Sequence, residues 1–164
     1  MIVPNLLLHP ETNTTRNPMA QYVTTVRTPR TPDEAFTYMA DLRNFAEWDP
    51  GVRDATQVVG DGPGPDAEYD VTVDAAGRAL TLRYAAIHYD APRSITVQAS
   101  SRLFTSLDRI DVTPDGDGSL VRYDAKLTFN GPLGLFDLFL RGTFRKIGDR
   151  ANRGLLRALD GTQA

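Results

Sequence analysis

The chain has 164 residues, an ordinary balance of apolar and charged side chains, a formal net charge of −3 and no cysteine. That composition suits one globular domain and excludes a disulfide framework, a thiolate metal site and a thiol nucleophile. Its arginines, among them Arg27, Arg43, Arg53 and Arg83, are scattered rather than clustered, so nucleic-acid binding has little electrostatic support. No apolar run reaches the roughly 18 residues that a membrane-spanning helix needs, and the lack of cysteine fits the cytosol.

Residues 1–18 carry Pro4, Pro10 and Pro18 around a polar TNTTRN segment. They lack the charged start and long apolar stretch of a secretory signal and read as a flexible extension. From Tyr22 to Thr28 side chains alternate as in a strand. Thr31-Pro32-Asp33-Glu34 then specifies a helix start, with Thr31 as cap, Pro32 at the first position and Glu34 closing a capping box. Ala35, Phe36, Met39 and Leu42 give that helix an apolar face, and a second short turn leads to Trp48, expected at the sheet mouth. Asp49-Pro50-Gly51 is a stop and turn signal.

Strand-like runs follow at 52–59, 67–73, 79–89, 94–100, 105–113 and 119–129, separated by the turn chemistry of GDGPGP, Ala76-Gly77, Ala91-Pro92-Arg93 and DGDG. Connectors this short favour an antiparallel meander, because parallel crossovers need a dozen or more residues. Gly131-Pro132 opens a final helical run to Leu159, with Leu133, Leu140, Phe144, Ile147, Ala151, Leu155 and Ala158 on one stripe. Leu135, Leu138 and Phe139 fall away from that stripe and Asp137 falls on it, and Gly134, Gly142, Gly148 and Gly154 each cost a helix about 1 kcal/mol relative to alanine. The GPLGLFDLFLRG segment therefore reads as a kinked or separate turn. The expected architecture is α+β: a curved seven-stranded antiparallel sheet gripping a long C-terminal helix, with two short helices after strand one.

The order of these elements resembles the START-like (SRPBCC) superfamily of polyketide cyclase/dehydrase and lipid-transport proteins. So do the DLRNFAEWDPGV phrase, the YDAPRS turn, the DVTPDGDGSLVRYDAKLTF hairpin and the GPLG opening of the last helix. The resemblance covers Tyr22 to Leu159, and residues 19–160 are expected to form a single START-like domain. It implies a helix-grip fold with an internal cavity. Some members bind lipids, hormones or quinones and others are aromatases or cyclases, so fold leaves the function open.

Strand parity supplies the cavity lining. Val121, Tyr123, Ala125, Leu127 and Phe129 share one face of the last long strand, and the same parity turns Ser106, Asp108 and Ile110 inward. Tyr69, Leu82, Tyr84 and Val97 follow. With Phe136, Leu140 and Phe144 from the helical run, these form the expected ligand-binding set, and Ala86, Ala99 and Ala125 leave room in it. Asp108 is the catalytic candidate: buried among Tyr84, Tyr123 and Ile110, its carboxyl would titrate high and suit proton transfer or an anchoring hydrogen bond. Its alternative is a strand-end aspartate paired with Arg102 or Arg109. His88 reads as a surface residue, and no metal site, cofactor fingerprint, GxSxG or HExxH is present. The expected partner is a small hydrophobic or aromatic ligand, with a cyclase-type enzyme as one alternative. A homodimer or transient membrane contact through the 133–140 segment is another.

Overall fold

The computed structural model describes residues 19–164 except Ala76 and 131–136; for Ala75 and 137–144 only the backbone is described. The expected N-terminal extension and Phe136 thus lie outside the described residues, as do the side chains of Leu140 and Phe144 and the apolar patch over 133–140.

The first strand, β1, runs Met19–Thr28, followed by α1 (Pro32–Ala40), a 3-10 turn (Leu42–Asn44) and α2 (Phe45–Trp48). Thr31 caps α1 and Glu34 returns its carboxylate to the Thr31 amide at 2.9 Å, closing the capping box. Six more strands follow: β2 (Val52–Val59), β3 (Glu68–Ala75), β4 (Arg78–Asp90), β5 (Ser94–Ser100), β6 (Phe104–Asp115) and β7 (Gly118–Phe129). The chain ends with α3 (Asp137–Ala158) and β8 (Thr162–Gln163). All pairings are antiparallel, in the order β2-β3-β4-β5-β6-β7-β1-β8. The fold is the expected helix grip, with an eighth strand rather than seven.

That extra strand arises where α3 ends. Asp160 takes a left-handed φ of 50°, reversing the chain so that Thr162 and Gln163 pair with Arg27 and Val26. Gln163 donates to the Thr25 carbonyl at 2.9 Å and accepts from Asn152 at 2.7 Å, while Thr24 donates to Asn152 at 2.7 Å. One polar cluster thus ties α3 and β8 to β1.

The helix turns inward the expected stripe at Ala151, Leu155 and Ala158, but not at Ile147. Gly148, Ala151, Gly154, Leu155 and Leu159 are buried, whereas Ile147 is 41% exposed. Two glycines account for the shift. A Cβ on Gly148 would strike the ring of Tyr22, and one on Gly154 would strike the Trp48 carbonyl group. Both let α3 approach its neighbours more closely than any side chain allows.

Inward parity holds along β3 to β7, with Tyr69 opposite Tyr84, Ala99 opposite Ser106 and Asp108 opposite Ala125. The one break on β4 lies between Ala86 and His88. It carries the inward face from Ala86 to Tyr89, which meets Phe36 edge-on at 5.5 Å, and leaves His88 exposed.

Candidate functional site

β6 pairs with β5 and β7 without a register shift, so Asp108 keeps its inward direction, between Val97 and Ala125. These two small neighbours leave the carboxyl uncovered by the sheet itself. Tyr123 of β7 donates its hydroxyl to Asp108 Oδ1 at 2.9 Å, and the Ser106 hydroxyl lies 3.4 Å from Oδ2. Neither Arg102 nor Arg109 reaches Asp108; Arg109 pairs with Asp111 on the outer face.

The lid over this group comes from the segment after α1. Asp41 accepts from the Arg43 amide at 3.1 Å and begins the 3-10 turn, and Asp49 ends α2 by accepting from the Gly51 amide at 2.8 Å. Between these stops Phe45 and Trp48 turn inward, stacked at 4.5 Å. Trp48 meets Tyr123 edge-on at 5.2 Å, and Phe45 meets Tyr84 at 6.4 Å. Trp48 is only 4% exposed, so it is a core side chain packed on the site's tyrosine rather than a cap at the sheet mouth.

Asp108 is 4% exposed. Burial raises its carboxyl from 3.8 to about 6, against the hydroxyls of Tyr123, Tyr84 and Ser106, which favour the anion. The nearby Asp49 carboxylate pushes in the same direction as burial. Asp49 is itself raised by burial, with the Gly51 amide opposing. The phenols of Tyr84 and Tyr123 are held well above their usual 10, first by burial and then by the Asp108 charge. They stay protonated donors across the physiological range, while Asp108 exchanges its proton near neutrality. That is the division of labour a proton-transfer site or a hydrogen-bonding anchor needs.

Met39, Asp41, Leu42, Phe45, Trp48, Val97, Asp108, Ile110 and Tyr123 enclose about 10 Å³ of free space, the room of a single water. Val97, Asp108 and Tyr123 of the expected set meet there. Leu82 and Tyr84 are buried in the same core without lining that space. Tyr69 is fully buried; its hydroxyl lies beside the Leu42 backbone, yet no partner among the described residues satisfies hydrogen-bond geometry. Leu127 faces Ser106 one pair along from Asp108, and there Phe104, Ser106, Leu127 and Phe129 are inward yet only half-buried. Met39, Leu42, Phe45, Trp48 and Asp49 were absent from the expected set, although they stand in or beside the DLRNFAEWDPGV phrase.

Residues 19–160 match the family described as polyketide cyclase/dehydrase and lipid transport. No curated protein matches the chain by sequence. Among solved structures, a START superfamily protein from Mycobacterium smegmatis superposes with a TM-score of 0.69 at 14% identity, covering 85% of this chain and 97% of that one. The Zhui aromatase/cyclase from Streptomyces sp. R1128 gives 0.67 at 14% identity, with 86% and 91% covered. The di-domain ARO/CYC StfQ from the steffimycin biosynthetic pathway gives 0.66 at 17% identity, over 85% of this chain and 48% of that one. At these identities the likeness establishes the fold alone.

Proposed function

The chain belongs to the polyketide cyclase/dehydrase and lipid-transport family, and from that premise we propose that residues 19–160 form one domain that binds a small apolar or aromatic molecule on the inward face of the sheet, anchored at Asp108. The observation that carries this reading is a carboxyl group buried on an otherwise apolar concave face, next to a row that the described residues leave half-covered. A buried charge without an ion-pair partner lowers stability, and binding sites are where such groups gather. The apolar body of the ligand lies along Phe104, Leu127 and Phe129, and its polar end reaches Ser106 and Asp108. Ligand pockets are mostly apolar, with a few convergent polar groups, as here.

A cyclase-type reaction is the second reading, favoured by one observation: a carboxyl that titrates at about 6 beside two phenols that remain protonated. Asp108 would take a proton from a position next to a substrate carbonyl while a phenol donates to the carbonyl oxygen. Two of the structural neighbours carry the aromatase/cyclase name.

Leu127→Trp tests the binding reading. The neutral fluorescent probe N-phenyl-1-naphthylamine should bind the wild-type protein, and the indole should weaken it by about tenfold or more, the equivalent of 1.4 kcal/mol or more. Leu127 is half-buried, so the fold should survive. Val58→Trp, on the exposed edge strand β2, should leave binding unchanged. Equal affinity for wild type and Leu127→Trp would move the site elsewhere.

A further inference from the structure

The inward face is one-sided in charge and in hydrogen-bonding capacity. Among the described residues no Lys, Arg or His is buried, whereas Asp108 is buried and Asp49 acts on it from the end of α2; Asp41, on the wall of the same small space, is already paired with the exposed Arg43 at 2.6 Å. The other groups facing Asp108 are Tyr84 from β4 and Tyr123 from β7, both neutral; α1 contributes Met39 and β5 contributes Val97. Tyr123 already fills one acceptor position on Oδ1. Among the described residues the Ser106 hydroxyl lies at a long 3.4 Å from Oδ2 and the Tyr84 hydroxyl also bonds the carboxylate, so three donors meet a group with about four acceptor positions and room for one more donor is left over. The free space beside the carboxyl is about 10 Å³, the size of one hydroxyl or ammonium group and less than a carboxylate requires.

Resting on the ligand-binding reading above, we infer that the ligand is an uncharged or cationic apolar molecule presenting a single hydrogen-bond donor to Asp108 Oδ2, and that amphiphiles bearing a carboxylate are rejected. A donor completes the carboxylate's hydrogen bonding in a water-poor setting, where a charge-assisted bond is strong. A ligand carboxylate would meet like charge with no buried cation among the described residues to offset it. The two classes also respond oppositely to pH. A donor prefers ionised Asp108, so its affinity rises as pH increases through about 6; an anion gains affinity only as pH falls below that value.

The test is titration with four ring-matched probes: naphthalene, 2-naphthol, 1-naphthylmethylamine and 2-naphthoate. At pH 7.5 the naphthol and the amine should bind about tenfold tighter than naphthalene, as a hydrogen bond to a charged group allows. The naphthoate should bind more weakly than naphthalene. Asp108→Asn should erase the amine's advantage, and the pH profile of naphthol binding to the wild-type protein gives a readout independent of that variant. Naphthoate binding as tightly as naphthol at pH 7.5, or naphthol affinity flat between pH 5 and pH 7.5, overturns the donor assignment and leaves the binding reading standing. If even naphthalene fails to bind, the binding reading fails and takes the donor assignment with it.

Discussion

Asp108→Asn is expected to stabilise the protein by about 3 kcal/mol at pH 8 and to leave stability unchanged below pH 4. The folded protein holds the Asp108 proton to about 6, whereas the unfolded chain releases it near 3.8. Between these values the native state binds more protons than the unfolded state, so native stability falls as pH rises. The loss is complete above about pH 6 and absent below about pH 4. Asparagine keeps the shape, can still accept from Tyr123, and has no charge to desolvate. For a chain of this length the gain corresponds to a rise in melting temperature of about 6–12 °C. Surface aspartates such as Asp70 and Asp90, held low by hydrogen bonds from Arg83 and Arg93, lose their stabilising contribution as pH falls. They are common to both proteins and cancel in the difference. Thermal melts of the two proteins from pH 4 to pH 8 check this, and a difference that does not vary with pH would contradict the buried-charge account.

Gly154→Ala should cost about 3 kcal/mol or more, although alanine is the better helix former by about 1 kcal/mol. A Cβ there lies 2.6 Å from the Trp48 carbonyl carbon and closer still to its oxygen, so α3 or the end of α2 must move. Movement of that backbone also displaces Trp48 from Tyr123, and with it the lid over Asp108. Gly148→Ala makes the contrast. Its clash is with the half-exposed side chain of Tyr22 as far in as Cγ, so that side chain must swing away as a whole but no backbone need move, and the cost should be smaller than that of Gly154→Ala. Denaturant melts of both variants decide the matter, and equal effects would mean that α3 does not rest on the Trp48 backbone.

Asp108 was legible as an inward residue because period-two alternation carries a face along a strand until a bulge breaks it, and β6 has none. β4 does have one, and there alternation alone misplaces the residues from His88 onward. On α3 the stripe was legible at Ala151 and Leu155 and misplaced at Ile147, for a different reason. Hydrophobic periodicity registers side chains, whereas Gly148 and Gly154 are buried by having none, so the pattern pointed to Ile147 instead. β8 spans two polar residues and carries no periodic signal at all. Phe45 and Trp48 stand in a four-residue helix, too short for a moment to show which way it faces. Their inward direction follows from the side-chain stops at Asp41 and Asp49, which sequence displays only as turn formers.

A ligand site organised by Asp108 is the central claim, and carbon-13 NMR of the Asp108 side-chain carboxyl, titrated with and without 2-naphthol, tests it most directly. In the free protein the midpoint should fall near 6. Saturation with the donor ligand should move it downward, because the ligand favours the anion. A midpoint near 3.8 that the ligand leaves unmoved would contradict both the burial of this carboxyl and its place in the site.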